Sequence, residues 1–321
     1  MVRRKRKSRK IVFLLIFILA ILFAQPAWHI FQLRSAQDRF DLSQVNTELT
    51  WLKLKSPWLN KIPLIRDSAI WLDLNQGKDL SDQDILIQQD DKHRFWLMQV
   101  KLQKNKIDEA SQVLAGVSSA SIQNLGQGLI DLVQEKYDVS YQKLNAVSDL
   151  KLSKEEKILK ALALSHCCLS QGNEAEALKE WDKAHNMAPQ HPLVLEEEFD
   201  LALIHTDWQK AEQLVSQLEL LPGNASNLNF QTKKALLCLA LGKTTQWEDI
   251  LQNLNETPEG KPYQSYLLGI KLYQAGDWKT SQVKFKEALT GQISAAVRQD
   301  ANKALEQVNE RLNAEAQLQK Y

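Results

Sequence analysis

The chain has 321 residues, 44% hydrophobic and 25% charged, which supplies a sizeable core and excludes an intrinsically disordered chain. Its 40 Lys and Arg nearly balance 39 Asp and Glu, but seven cations, Arg3, Arg4, Lys5, Arg6, Lys7, Arg9 and Lys10, precede the first acid. The remainder carries 33 cations against 39 acids, a net −6, and lacks the clustered basic surface that nucleic-acid binding requires.

From Ile11 to Ala24 no side chain carries a polar atom, and the apolar stretch continues through Trp28 to Phe31. A run of about 20 such residues matches the hydrocarbon core of a bilayer, so residues 11–31 are predicted to form a transmembrane anchor. Residues 1–10 would then be a basic cytoplasmic tail. The remainder would lie outside the cytoplasm, held at the cell membrane by a single-pass signal-anchor. Cleavage after Ala24 is the rival reading, disfavoured by Leu22 and Pro26 around that site.

Residues 32–90 read as a helical neck. Leu42, Val45, Leu49 and Leu52 mark one apolar face of a helix over 32–55, Pro57 and Pro63 bracket a break, and a second apolar helix runs from Leu64 to Leu74. Trp51, Trp58 and Trp71 are expected to form the core of this neck.

Beyond Ser81 the chain is repetitive. One stretch from Ile158 to His191 places Leu164 and Cys168 before Gly172, then Ala177, Trp181 and Ala184, with Pro189 closing it. Another begins near Pro262, with Gly269 and Leu272, then Gly276, Trp278, Ser281, Phe285 and Ala288. A related spacing recurs at Ile107, Ala110 and Leu114; Tyr137, Ser140 and Leu144; Trp208, Ala211 and Val215; and Trp247, Ile250 and Leu254. Each set lies on one face of an α-helix. Trp247 stands about three residues too far from Gly242, which predicts a longer turn there. Ser153 with Glu156, Asn173 with Glu176, Thr206 with Gln209, and Thr245 with Glu248 fit N-caps answered three positions later. Pro189, Pro192, Pro222 and Pro258 fall between the helices, where they interrupt no hydrogen-bond ladder.

These motifs resemble the tetratricopeptide repeat, a helix-turn-helix of 34 residues, over roughly 91–290, about six units. The resemblance implies an all-α solenoid forming a right-handed superhelix, with residues 291–321 as its C-terminal capping helix. It also implies that the first helix of each pair lines a concave surface for protein partners. On that surface it places His166, Glu196, Asp200, Thr232, Tyr263, Tyr266, Ile270 and Tyr273, with aliphatic neighbours Leu162, Leu169 and Leu236. Tyr266, Ile270 and Tyr273 form a contiguous stripe at helical spacing and are the expected principal contact. Packing of these rings against a C-terminal helix from Ile293 to Leu318 is the alternative. Members that grip C-terminal carboxylates do so with Lys, Arg and Asn, and the mostly apolar, aromatic or acidic residues here disfavour that ligand.

Catalytic signatures are missing: the sequence has no glycine-rich phosphate loop, HExxH, GxSxG or paired CxxC. His166, Cys167 and Cys168 are consecutive and would point in different directions from a helix, so no metal site is expected. The three cysteines read as small buried hydrophobes. No catalytic residue, cofactor, small-molecule substrate or nucleic acid is expected. The function expected is a scaffold recruiting protein partners at the outer side of the cytoplasmic membrane, in secretion, envelope assembly or quality control. The alternative is a regulatory or assembly subunit of a membrane enzyme complex such as one making cell-surface polymer.

Overall fold

The computed structural model describes residues 24–76, 78, 80–85 and 90–318. Among these the regular structure is helical, and the helices are paired. Helix α1 covers 24–39 and α2 Leu42–Lys55. They are followed by α3 (Pro63–Asn75) and a short α4 (Asp82–Ile85). Then come α5 (Asp91–Gln103), α6 (Ile107–Ala115), α7 (Ala120–Val133), α8 (Tyr137–Ala146), α9 (Lys154–Ser170) and α10 (Glu174–Met187). The chain continues as α11 (Pro192–Ile204), α12 (Trp208–Leu218), α13 (Leu228–Ala240), α14 (Thr244–Asn255), α15 (Lys261–Gln274), α16 (Trp278–Thr290) and α17 (Ala295–Leu318). Two compact units divide the chain, residues 1–195 and 196–321.

One backbone device makes every hairpin. Phe40, Asn105, Glu135, Gly172, Thr206, Gly242 and Gly276 all have φ between +56° and +80° and end the first helix of a pair. In each case the next residue's N–H reaches back to the carbonyl five positions earlier, at 2.8–3.0 Å, as in Asp41 to Ala36 and Asn173 to Cys168. The left-handed residue itself bonds three positions back, so the last carbonyls of the helix are satisfied in Schellman fashion. The residue after it is also the N-cap of the second helix. Asp41, Asp207 and Asp277 fill that role with a side-chain carboxylate on the N–H of Gln44, Lys210 and Thr280.

This geometry corrects several sequence expectations. Of the four predicted caps, Ser153 with Glu156 is a complete capping box. Asn173 is an N-cap without a side-chain bond, Thr206 is the left-handed residue before the true cap, and Thr245 lies inside α14. The turn after Gly242 is no longer than the others, because Lys243 caps α14 just as Asp277 caps α16. Trp247 therefore sits at the fourth helical position, where α12 carries Ala211 and α16 carries Ser281.

That fourth position meets the first helix at its point of closest approach. Ser140 donates its hydroxyl proton to Gly128 O at 2.8 Å, and Ser281 does the same to Gly269 O at 2.9 Å. A Cβ on Gly128 would fall 2.6 Å from Leu144, and one on Gly269 would fall 2.8 Å from Phe285. The equivalent register positions in the other hairpins, likewise twelve residues apart, are Leu33 and Val45, Met98 and Ala110, Ser165 and Ala177, Phe199 and Ala211, and Ala235 and Trp247. In two of these pairs a large residue stands opposite a small one in the register. Where the second helix brings Trp247, the first brings Ala235; where it brings Ala211, the first brings Phe199.

The predicted transmembrane anchor is not supported. Residues 11–23 of that expectation lie outside the described residues, and among the described residues no helix is long and apolar enough to cross a membrane. Residues 25–31 are part of α1, which packs against α2. Leu33, Ala36 and Phe40 are buried with Val45, Leu49 and Leu52, and His29 stacks on Trp51 at 3.6 Å while its Nδ1 lies 2.5 Å from Glu48 Oε2. An apolar run read by itself does not separate a spanning helix from one packed on its own domain. The single-pass localisation, with the membrane as a partner through this helix, falls with the anchor. The single helix expected over 32–55 is broken at Phe40 and Asp41, and Trp58 is exposed while Trp71 is buried.

Within residues 1–195 the first hairpin does not contact only its sequence neighbour. Phe40 packs on Trp71 and on His191, the Trp71 indole N–H donates to Glu155 Oε2 at 3.2 Å, and Lys154 Nζ donates to Asp38 O. Residues from α1, α2, α3, α5, α9 and α10 thereby share one core.

Candidate functional site

With the closest-approach residue of each first helix as origin, the expected partner-binding residues separate into two rows. One position further along stand Gln99, Leu129 and His166 in residues 1–195, and Asp200, Leu236 and Ile270 in residues 196–321; all are half-buried or exposed. Three positions earlier stand Leu162, Glu196, Thr232 and Tyr266, and of these only Glu196 escapes full burial. The two rows differ by four residues, which is about 40° around a helix and enough to turn a side chain from surface to core.

His166 is exposed beside Tyr137, with ring centroids 6.3 Å apart. Thr232 is buried, and its hydroxyl donates to Leu228 O within its own helix at 2.7 Å. Tyr263 and Tyr266 are 6% and 3% exposed. The Tyr263 hydroxyl accepts from the N–H of Ser294 at 2.9 Å, and the Tyr266 ring packs 6.2 Å from Phe285. Burial, with Asp300 nearby, pushes the Tyr266 phenol well above its ordinary value. Ile270 and Tyr273 are half-buried, Tyr273 meeting Trp278 edge-on at 5.0 Å. The tyrosine stripe is therefore divided: Tyr263 and Tyr266 are packing residues, and Ile270 with Tyr273 reaches the surface.

Glu196 and Asp200 are brought together on α11 with Lys233 from α13, a residue that sequence reasoning missed. Lys233 Nζ lies 2.5 Å from Asp200 Oδ1. Burial raises the Glu196 carboxyl to about 7, with Asp200 adding to the rise and Lys233 opposing it. Lys233 itself is raised: burial lowers it, but Asp200, Glu196 and Glu197 outweigh that. No sequence rule singles out Lys233 from Lys234 beside it; only the helix register turns it toward Asp200.

A second feature lies in residues 1–195, a cavity of about 400 Å³ between α1, α3, α5 and α9. Phe40, Trp71, Phe95 and Trp96 supply its apolar walls, and Asp38, Asp67, Glu155 and Glu156 its acids. Its two lysines are engaged. Lys92 sits 3.4 Å from Asp67 Oδ2 and 4.4 Å over the Trp96 ring, and Lys154 bonds Asp38 O.

Cys167, Cys168 and Cys238 are buried with their thiols pushed up by burial, which disfavours the reactive thiolate. Among the described residues no group of three or more His, Cys, Asp or Glu is arranged to hold a metal.

No family model and no curated protein matches the sequence. Among solved structures the chain is similar to the APC/C hetero-tetramer Cut9–Hcn1, with a TM-score of 0.52 and 13% identity over 83% of this chain. It spans about half of that longer chain, 52%. It is also similar to a tetratricopeptide repeat protein from Parabacteroides merdae ATCC 43184, with a TM-score of 0.45 and 13% identity, covering 88% of this chain and 98% of that one. A third similarity is to Pseudomonas aeruginosa PilF, with a TM-score of 0.41 and 16% identity, covering 79% and 99% of the two chains. At 13% identity the first of these similarities bears on fold alone, and the hairpin geometry agrees with it: left-handed turn, twelve-residue register and a second helix starting at the next residue recur, so the chain has the fold of a tetratricopeptide-type helical repeat.

Proposed function

We propose that the protein is a non-catalytic interaction scaffold that binds a polypeptide segment of basic character along the first helices of its repeats. The observation that carries this reading is the row at one register position. Asp200, Leu236 and Ile270 stay at the surface on successive first helices, while residues four positions earlier on two of those helices, Thr232 and Tyr266, are buried. A surface that repeats in step with the fold offers regularly spaced contacts to an extended chain. Glu196, Asp200 and Lys233 provide half-buried charge beside it, and Ile270 and Tyr273 an apolar end. The net −6 of the chain after its first ten residues favours a cationic partner by long-range attraction.

A photo-crosslinking amino acid placed at Asp200 or Ile270 should form adducts with a polypeptide in cells of the source, and one at exposed Val283 on α16 should not. Removing the carboxylate by Glu196→Gln, which keeps the volume, should then weaken the adduct at Ile270 without lowering the melting temperature. Equal adduct yields from all three positions, or none from the row, would overturn the reading.

A further inference from the structure

The cavity between α1, α3, α5 and α9 holds polar groups that the protein leaves unanswered. Among the described residues Asp67 Oδ1 and Gln99 Nε2 are buried and have no hydrogen-bond partner. Asp67 Oδ1 lies 3.4 Å from the buried His93 Nε2, an ion pair when that ring is protonated but not a hydrogen bond. Native proteins leave few such atoms, because an unanswered buried donor or acceptor costs about 1–3 kcal/mol. Glu155 accepts from the Trp71 indole N–H at 3.2 Å and from the Asn75 side chain, and Lys92 is the cation that acts on it. Burial is the largest influence on its carboxyl, holding it at about 7 against the opposing pull of Trp71, Lys92 and Asn75. Of the two lysines of the cavity, Lys92 pairs with one of its acids, Asp67, through Oδ2, and Lys154 bonds a backbone carbonyl. Four acids against two lysines leave the lining with an excess of negative charge.

The walls select what kind of cation fits. Trp71 and Trp96 present indole surface, and planar cations stack on such rings better than a compact ammonium does. A guanidinium has five N–H donors in a flat fork, enough for two carboxylates on different helices. The peptide group that carries it would bring a carbonyl, the acceptor that Gln99 Nε2 lacks. A volume near 400 Å³ falls at the small end of ligand sites and exceeds the needs of one side chain, so it leaves room for the adjoining backbone.

We propose that this cavity is a recognition pocket for an arginine side chain of a partner polypeptide, its guanidinium bridging Asp67 and Glu155 and lying against Trp71 or Trp96. The inference rests on the reading that the protein binds polypeptides, but it concerns a different site from the row on α11, α13 and α15. A segment docked there would place one arginine in a buried, aromatic-walled acid pocket, the setting in which a single residue dominates binding.

The test is calorimetric titration of the full-length protein with the probe peptide acetyl-Gly-Arg-Gly-amide, with the same peptide carrying citrulline, and with free L-arginine. Citrulline keeps the shape of arginine and removes its charge. The arginine peptide should bind saturably and at least tenfold more tightly than the citrulline peptide and than L-arginine. Glu155→Gln should weaken it about tenfold or more with no fall in melting temperature, since the substitution removes a half-buried charge and keeps the volume. Asp67→Asn serves as the second variant, and Glu306→Gln on α17, an exposed acid outside both the pocket and the row, should leave the titration unchanged. Saturable binding that Glu155→Gln and Asp67→Asn weaken, and that Glu306→Gln does not, keeps this pocket standing even if the row on α11, α13 and α15 binds nothing. Absence of saturable binding by the arginine peptide, equal affinity for citrulline, or indifference to both Glu155→Gln and Asp67→Asn would overturn the assignment. L-arginine binding as tightly as the peptide would move the pocket to a small molecule and overturn it equally.

Discussion

Four of the seven left-handed turn residues are not glycine, and each holds a backbone conformation that costs an L-residue about 1 kcal/mol. Phe40 keeps its ring because it packs on Trp71 and His191; exposed Thr206 has no comparable contact, and its β-branch suits that conformation least. Thr206→Gly should therefore raise stability by about 0.5–1 kcal/mol, the relieved strain being partly offset by the greater freedom of glycine in the unfolded chain. Gly242→Ala is the converse, since a Cβ there meets no atom within 4 Å and only the +69° φ is strained. It should lower stability by about 1 kcal/mol, and urea unfolding of both variants would check the pair. Glycine made three of these turns legible in the sequence. Phe40, Asn105, Glu135 and Thr206 carried no such mark, because the Schellman closure is made by backbone groups that every residue possesses. The same blindness turned Thr206 into a predicted cap.

At the scale of the element, the twelve-residue interval between close-approach partners is what makes a hairpin. Replacing glycine by alanine inside a helix ordinarily helps by about 1 kcal/mol, but at Gly269 the new methyl would stand 2.8 Å from the fully buried Phe285 ring. The clash should win. Gly269→Ala is expected to destabilise by about 1–2 kcal/mol, and the double variant with Phe285→Leu to recover part of that loss. Thermal melting of the two variants decides it, and a stabilised single variant would mean that the helices can part without cost. The helical spacing of the second helices was readable in the sequence, and so was the small residue at Ala110, Ser140, Ala177, Ala211 and Ser281. Trp247 was misread as a longer turn because the compensation lies in Ala235, twelve residues away on another helix. Periodicity likewise places Tyr266 and Ile270 on one face, and burial by α16 and α17 divides that face between them.

At the scale of the molecule, titration links the units to pH in different ways. In residues 196–321, Glu196 keeps its proton up to about 7, whereas the unfolded chain loses it near 4.5. Its contribution to stability is complete below pH 4.5 and is lost as pH rises through 7. In residues 1–195, Glu155 behaves the same way, but buried His191 is held down to about 3 from 6.5. That histidine contributes above pH 6.5 and its contribution is lost as pH falls toward 3, so the two oppose each other between them. Glu196→Gln should thus abolish a loss on the order of 2 kcal/mol between pH 5 and 7.5, measured by denaturant unfolding at each pH. An unaltered pH profile would place the Glu196 carboxyl in ordinary solvent. None of this was visible in residue type, since acids on a repeat helix are mostly solvated and only the folded register buries these few. The folded register also brings residues 84 apart at Trp71 and Glu155, and 116 apart at Asp38 and Lys154, into contact. Typical partners in the other unit are one repeat apart, 33 residues at Lys233 and Asp200 and 31 at Tyr263 and Ser294. A ladder of short-range contacts can start folding at any rung, but a chain that must first close long loops waits on the entropy of closure. Residues 196–321 should accordingly reach their native state early in refolding, and residues 1–195 should set the pace of the whole, with the burial of Trp71 against α9 among its last events.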